Sequence, residues 1–153
     1  MHQRASDATY REILDRLRAY AAMHQTCPAA AVGAAVVVDG QIIITGVNGA
    51  PAGIVACQDA GCDWTMAGQA GTGRDHARHL HAEAMAICLA AGTGRRIAGA
   101  DIVVTQPPCP TCALLIMASG LARVVIDGAT MPWGWAAIRE ALAAGGVSVV
   151  VLE

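Results

Sequence analysis

Two short motifs in this sequence carry side chains that could bind one metal ion together. His81-Ala82-Glu83 stands at the start of one predicted helix, and Pro108-Cys109-Pro110-Thr111-Cys112 leads into another. Residues three apart on a helical turn face the same side, so the two thiols can reach one point. One histidine and two cysteines make a three-ligand set for Zn²⁺ that leaves a fourth position open for water. The pattern therefore predicts a catalytic zinc site.

Glu83 lies two residues after His81 and need not bind the metal itself. A carboxylate beside a zinc-activated water can take up and release protons, so Glu83 is the candidate catalytic residue. The positive ends of the two helices would favour thiolates at the cysteines. The alternative is a thioredoxin-like redox pair at Cys109 and Cys112, which leaves His81 and Glu83 unexplained.

The composition of the chain narrows the range of chemistry further. It has 153 residues, six cysteines, a formal net charge of -2 and no lysine. Without lysine there is no lysine Schiff base, no pyridoxal phosphate attachment and no P-loop lysine. The charge argues against a long nucleic acid as a partner, although not against a single nucleotide. The length and the hydrophobic content of 55% predict one domain across residues 1–153.

The N-terminal residues 1–20 carry scattered charges and lack the apolar stretch of an export signal. No segment of about 18 residues is free of charges and turn formers, which predicts that no part of the chain spans a membrane. We therefore expect a cytoplasmic protein, in which cysteines are more often thiols or metal ligands than disulfides.

The elements that must position these motifs are helices and strands in alternation. Ser6 is expected to cap a helix that ends near Met23, and Asp39-Gly40 to join two strands in a hairpin. A long segment rich in Gly, Ala and Asp, at 48–78, follows the hairpin. The other predicted elements are residues 32–38, 41–47, 82–91, 101–105, 111–119, 123–126, 135–144 and 147–152. Apolar strands in this order predict an α/β protein whose sheet has helices on both faces.

With these residues in place, the chain resembles the cytidine deaminase superfamily, and within it the deoxycytidylate (dCMP) deaminase branch. An H-x-E motif followed by P-C-x-x-C is the signature of the zinc deaminases. Similarity also lies at Val32-Gly33-Ala34, at Asp39-Gly40 and at Gly46-Val47-Asn48-Gly49-Ala50-Pro51, which looks like the family's G-Y-N-G-x-P segment. The resemblance implies a three-layer α/β/α fold with a mixed five-stranded sheet.

The resemblance also implies roles for the residues of both motifs. His81, Cys109 and Cys112 would hold Zn²⁺, which activates a water molecule. Glu83 would move protons while that water replaces the amino group at the carbon equivalent to C4 of cytosine, releasing ammonia. No organic cofactor is expected for this reaction.

Three contacts with the substrate follow from the same resemblance. The Asn48 amide would hold the sugar or base, and the backbone at Ala82 would meet the pyrimidine edge. Arg78 stands where bacterial members often carry an arginine. Family members form dimers to hexamers, so a homo-oligomer is expected. The expected partner is a small-molecule nucleotide, nucleoside or base, with no long nucleic acid and no membrane.

Three departures from the dCMP deaminase pattern leave the substrate open. Ala29-Ala30-Ala31 stands where a basic residue is common, Val47 replaces the tyrosine of G-Y-N-G, and Met85 replaces an asparagine. The leading interpretation is a cytidylate-like nucleotide. Its phosphate would then be held by other arginines, at Arg74, Arg78 or Arg95.

Two other interpretations remain beside the nucleotide deaminase. The first is a deaminase of an unphosphorylated nucleoside, a free base or another aminated heterocycle. The second is an inactive, zinc-stabilised binding protein. A purely structural site has no use for the carboxylate of Glu83, which argues against the second.

The remaining cysteines and two tryptophans are further candidates. By resemblance to dCMP deaminases that carry a second zinc, a structural site is expected from Cys27, Cys57, Cys62 and His76 or His79. Otherwise these cysteines are free thiols. Cys88 lies among Ala, Met and Ile residues and is expected in the core. Trp133 and Trp135 could stack on a base or belong to an interface or the core.

Overall fold

The structure is a computed structural model that describes residues 2–27, 30–56, 59, 79–128 and 134–152. These residues form four long helices and five strands. In chain order they are α1 (Asp7–His24), β1 (Gly33–Val38), β2 (Gln41–Val47), α2 (Ala82–Gly92), β3 (Asp101–Val104), α3 (Pro110–Ala118), β4 (Arg123–Asp127), α4 (Trp135–Ala144) and β5 (Ser148–Leu152). The predicted elements are confirmed, with boundaries that shift by one or two residues.

The five strands form one mixed sheet in the order β2-β1-β3-β4-β5. Strand β1 is antiparallel to both β2 and β3, whereas β3, β4 and β5 are parallel to one another. The carboxyl ends of parallel strands share one edge of the sheet, and ligands commonly bind there in open α/β sheets. The chain that leaves β3 at this edge enters α3 six residues later, at Pro110.

The two faces of the sheet are covered by different helices. Helix α1 covers one face with Tyr10, Ile13, Leu14 and Leu17, which pack against Ala35, Val37, Val103 and Val125. Helices α2, α3 and α4 cover the other face, where the core includes Ala86, Ile116, Leu142, Val36, Ile102, Val104 and Ile126. Neighbouring strand residues alternate between the two faces, as the pleat requires. The predicted three layers, α/β/α, are therefore confirmed.

Local chemistry explains where the first elements begin and turn. The Ser6 hydroxyl accepts a hydrogen bond from the backbone N–H of Thr9, at 3.1 Å, and caps α1 as predicted. Asp39 and Gly40 both have positive φ values, of 49° and 78°. Two such residues match the right-handed twist of the flanking strands, so this turn closes the β1–β2 hairpin.

A buried polar cluster joins α1 to the starts of β3 and β4. It lies at the edge of the sheet opposite the carboxyl ends of these strands. The Tyr10 hydroxyl donates a hydrogen bond to Asp101, and the Arg123 guanidinium donates another to the same carboxylate, at 2.5 Å. Asp101 is only 4% exposed, and these two partners satisfy its charge. Because Asp101 begins β3 and Arg123 begins β4, the cluster fixes the start of the parallel strands.

Two predictions about single residues have opposite outcomes. The core position of Cys88 was predicted wrongly, because this thiol is exposed. Helix α2 is apolar on all sides and packs through its alanines, Ala82, Ala84, Ala86 and Ala90, so composition alone does not identify its outer face. Trp135, the first residue of α4, is buried in the core, which is one of its predicted roles. The single domain across residues 1–153 stays a prediction.

Candidate active site

The two motifs meet at the first turns of α2 and α3. The His81 Nδ1 atom lies 3.5 Å from the Cys109 sulfur and 3.6 Å from the Cys112 sulfur. The ligand atoms of these three residues all lie within 4.8 Å of one another. The convergence expected from the sequence is therefore present, and it is the one group of this kind found within the described ranges.

The N-termini of the two helices place all three side chains. His81 is the residue that precedes the first turn of α2, and Cys109 holds the same position before α3. The backbone N–H of Cys112 donates a hydrogen bond to the Cys109 sulfur, at 3.5 Å, so the sulfur itself caps the helix. Pro110 follows at the first helical position, where its missing N–H costs nothing. The positive N-terminal end of α3 thus lies at both sulfurs, and that of α2 lies at His81.

The donor set fits Zn²⁺ in both chemistry and spacing. A tetrahedral ion with Zn–S bonds of about 2.3 Å and Zn–N bonds of about 2.0 Å separates its nitrogen and sulfur ligands by about 3.5 Å. The distances from His81 to Cys109 and Cys112, 3.5 and 3.6 Å, match that separation. Three protein ligands leave one coordination position for water or substrate.

Of these three side chains, only Cys109 has its pKa shifted toward the deprotonated form that binds metal. Hydrogen bonds with Cys112 and His81 lower the pKa of the Cys109 thiol to about 3. The same hydrogen bond to Cys109, together with burial, raises the pKa of Cys112, and the bond with Cys109 raises the pKa of His81. The shared protons leave one thiolate beside the imidazole, and thiolate is the form that binds metal.

Glu83 lies on the first turn of α2 beside this group. It is 3% exposed, and burial raises the pKa of its carboxyl group. A raised pKa makes the carboxylate a stronger base, which suits a group that must accept a proton and then give it up. The carboxylate also interacts with the Cys112 side chain, which places it next to the metal-type ligands.

A cavity of about 480 Å³ opens at these residues. Its wall includes His81, Ala82, Glu83 and Cys109. Ala30, Val32 and Asn48 also line it. This volume lies within the usual range for small-molecule sites. The carboxyl group of Glu83 and the predicted contacts Ala82 and Asn48 therefore line one space.

Asn48 holds one wall of the cavity through its side-chain amide. The amide oxygen accepts a hydrogen bond from the Val32 N–H, and the amide nitrogen donates one to the Ala30 oxygen, both at 2.8 Å. The Asn48 backbone N–H also donates to the Val32 oxygen, at 3.1 Å. Asn48 therefore extends the β1–β2 pairing beyond the hairpin, and one amide N–H remains for a ligand.

Two glycines let α2 and the segment before it lie close to the end of the β1–β2 hairpin. A Cβ atom at Gly46 would lie 2.3 Å from the Ala82 oxygen and 2.5 Å from the Ala86 nitrogen, so only glycine lets α2 approach. Gly49 and Leu80 exchange two backbone hydrogen bonds, of 2.9 and 3.1 Å. These contacts set the position of His81 and Glu83 relative to the hairpin.

Several predicted residues lie elsewhere. Outside the described residues are Cys57, Cys62, Arg74, His76, Arg78 and Trp133. Arg95 is exposed after α2 and does not line the cavity. Cys27 and His79, expected in a second zinc site, both line the cavity. Within the described ranges they join no metal-type group, so the second zinc site stays a prediction.

Sequence reasoning did not assign a cavity role to His79 or Gln106, which both line it. The available signal for His79 was its spacing of two residues from His81. Side chains two apart in an extended segment point the same way. Gln106 carried no comparable signal, because its position depends on the path of the chain after β3.

The mixed sheet has helices on both faces, and a His-Cys-Cys group lies at the N-termini of two of these helices. These features define an α/β protein with a candidate catalytic metal centre. The model of the cytidine and deoxycytidylate deaminase zinc-binding region matches residues 8–127. The chain therefore belongs to the cytidine and deoxycytidylate deaminase family. None of the helices within the described ranges combines the length and apolar character that a membrane crossing requires.

Individual relatives agree with this assignment. The chain is 36% identical over 135 residues to ComE operon protein 2 of Bacillus subtilis, in an alignment covering 86% of this chain and 65% of that protein. It is 37% identical over 113 residues to the deoxycytidylate deaminase of Mycobacterium phage D29, covering 69% of this chain and 84% of the relative. The dCMP deaminase of cyanophage S-TIM5, solved with dCMP and dUMP, superimposes with a TM-score of 0.76 at 25% identity, covering 97% of this chain and 99% of that one.

Proposed function

We propose that this chain is a zinc-dependent hydrolytic deaminase that converts the amino group of a cytidylate-like nucleotide to a carbonyl and releases ammonia. The observation that carries the proposal is the convergence of His81, Cys109 and Cys112 beside the buried carboxyl group of Glu83, at the wall of one cavity. The relatives named as dCMP deaminases support the choice of substrate.

Three side chains would hold the metal. His81, Cys109 and Cys112 would bind Zn²⁺ through one nitrogen and two sulfurs. When bound, Zn²⁺ supplies Lewis acidity that lets water act as a nucleophile near neutral pH. The N-terminus of α3, at both sulfurs, would draw electron density from the thiolates and so offset the charge that they donate.

Glu83 would move the protons of the reaction. Its carboxylate accepts a proton from the attacking water and passes it to the ring nitrogen next to the reacting carbon. It then takes the remaining proton of that water, from the hydroxyl group now on the reacting carbon, and delivers it to the departing amino group, which leaves as ammonia while the carbonyl forms. The low exposure of Glu83 keeps bulk water from exchanging these protons before they are used.

Three other residues would bind the substrate. The Ala82 backbone, at the cavity wall, would meet the edge of the pyrimidine. The amide N–H of Asn48 that is not bonded to Ala30 would reach the sugar or base. Arg78 would contact the substrate from the segment before His81.

The setting proposed for this enzyme is a homo-oligomer in the cytoplasm. Helices α2 and α3 expose Cys88, Leu89, Leu114 and Leu115. Their single charged residue, Glu83, is buried, so the outer faces of both helices carry no charge. A second copy of the chain would cover such apolar faces. Thiolate ligands must also stay reduced, which the cytoplasm ensures.

An ammonia-release screen with the zinc-loaded protein tests the function. The substrates are dCMP, deoxycytidine, cytosine and guanine at equal concentrations. We expect dCMP to react with the highest kcat/KM. Equal or faster release from deoxycytidine or cytosine would instead support the unphosphorylated substrate, and no release from dCMP would contradict the proposed function.

A further inference from the structure

Gln106 lines the cavity from the segment that joins β3 to α3. The residue before it, Thr105, is fixed to the start of β1 by two hydrogen bonds. The Thr105 N–H donates to the Gly33 oxygen, and the Gly33 N–H donates to the Thr105 hydroxyl, both at 3.0 Å. The backbone that enters Gln106 is therefore anchored to the sheet.

Two prolines restrict the backbone on the other side of Gln106. The rings of Pro107 and Pro108 fix their own φ angles, and a residue that precedes proline is kept out of the helical conformation. Pro108 is buried, and Cys109 then caps α3. Because Gln106 lies between an anchored residue and a stiff dipeptide, its side-chain torsions are the part that adapts to a ligand.

The amide of Gln106 is available to a bound molecule. The side chain is exposed, and within the described ranges no residue is hydrogen-bonded to its amide. A primary amide offers two N–H donors and one carbonyl acceptor. Pro107, which also lines the cavity, gives this part of the wall an apolar surface next to the amide. This part of the wall can therefore distinguish polar from apolar groups of a ligand.

The reaction proposed above sets how a pyrimidine ring lies relative to Gln106. Its C4 atom is at the metal ligands, its N3 atom at Glu83 and its C2 edge at the Ala82 backbone. Glu83 and Ala82 both belong to the first turn of α2. C5 is the other ring neighbour of C4, so it points away from α2. The second helix that supplies metal ligands is α3, and the segment leading into it carries Gln106 and Pro107.

We propose that Gln106 determines specificity at C5 of the pyrimidine, and that its amide favours a polar substituent there, such as a hydroxymethyl group. The inference rests on the proposed function, because the proposed reaction sets the orientation of the ring. A hydroxymethyl group donates and accepts hydrogen bonds, as the amide does, whereas an ethyl group of the same shape does neither. With hydrogen at C5, the exposed amide stays in contact with water, so dCMP remains a substrate.

Binding of two product-like nucleotides tests this contact without turnover. They are 5-hydroxymethyl-dUMP and 5-ethyl-dUMP, which differ by a hydroxyl group in place of a methyl group. Calorimetry gives their dissociation constants for the zinc-loaded wild type and for Gln106→Leu, whose side chain has a similar size but no polar atoms. We expect the wild type to favour the hydroxymethyl nucleotide, and Gln106→Leu to lower that preference by about 3- to 10-fold, the net effect of one hydrogen bond.

Gln41→Leu is the matched control, because Gln41 is an exposed glutamine at the first position of β2 that does not line the cavity. It should keep the wild-type preference. Replacing the exposed Gln106 removes no core packing, so the midpoint of urea denaturation and the metal content of Gln106→Leu should equal those of the wild type.

An unchanged preference in Gln106→Leu would overturn the inference, as would a wild type that binds the ethyl nucleotide more tightly. If the wild type shows the expected preference and Gln106→Leu loses it, but no ammonia is released from dCMP, the proposed reaction fails and the contact at C5 stands. If dCMP is deaminated and the two binding ratios are equal, only the contact at C5 fails.

Discussion

The side-chain amide of Asn48 donates a hydrogen bond to the backbone oxygen of Ala30, at 2.8 Å. The same amide accepts one from Val32, so a single side chain fastens the entry of β1 to the end of β2. Asn48 is 6% exposed, and Ala30 and Val32, whose backbone groups it satisfies, are half-buried. The segment that the family resemblance assigns to substrate binding therefore also builds the wall of the cavity.

Replacing Asn48 with alanine should destabilise the fold and loosen this wall. The Val32 N–H and the Ala30 oxygen would lose their partners, at a cost of about 1–3 kcal/mol in the free energy of unfolding. Urea denaturation measures the cost. Asn48→Asp keeps an acceptor for Val32 but places a carboxylate beside the Ala30 oxygen, so it should not restore wild-type stability. A fully stable Asn48→Ala protein would contradict this stabilising role of the Asn48 side chain.

Replacing either Cys109 or Cys112 with serine should remove the zinc. Each change takes away one of three protein ligands, and a serine hydroxyl is a poor substitute for a thiolate. Metal content per chain, measured by mass spectrometry, should fall well below that of the wild type. Cys88→Ser is the matched control, because Cys88 is exposed on α2, and its metal content should equal the wild-type value.

Glu83→Gln should separate catalysis from metal binding. The amide has a similar shape but cannot accept a proton from water, so we expect ammonia release to fall by at least about 100-fold with zinc retained. Steady-state assays and metal analysis on one preparation measure both quantities. Glu12→Gln, at an exposed position of α1, controls for loss of a carboxylate. Turnover by Glu83→Gln within a few fold of wild type would exclude the proposed role.

Gly46→Ala should disturb the site although Gly46 does not itself line the cavity. The added methyl group meets backbone atoms of Ala82 and Ala86, which belong to α2 and cannot rotate aside. We expect a loss of about 1–3 kcal/mol in unfolding free energy, together with reduced turnover as α2 moves. Gly92→Ala is the control, since a Cβ there meets nothing within 4 Å. Equal stability of the two variants would show that β2 and α2 tolerate the added volume.

Leu114→Glu should dissociate the proposed oligomer. Leu114 is 62% exposed on α3, so a charge there leaves the fold of one chain intact but must be desolvated at an apolar interface. Light scattering after size exclusion should show a smaller mass than for wild type. Ala137→Glu, on the exposed side of α4, should not change the mass. A wild-type mass equal to one chain would itself rule out the oligomer.

The sequence was most informative where its signals are local. His81 and Glu83, and likewise Cys109 and Cys112, lie within one turn of a helix start, so their spacing already restricts their geometry. The alternation of strands and helices likewise fixed the element order. The contacts of Asn48 join residues 16 and 18 positions apart, and no pattern in one segment specifies them. The outer position of Cys88 was missed because α2 has no polar face to mark it.

The bridge between Gly49 and Leu80 holds together the two ends of the long segment between β2 and α2. Because its two hydrogen bonds join the ends of residues 50–79, the positions of His81 and Asn48 do not depend on how many residues lie between them. The entropy of closing such a loop grows slowly with its length. Insertions and deletions within this stretch should therefore leave the relative positions of Asn48 and His81 unchanged, so that the stretch can vary in length without moving the candidate metal ligands.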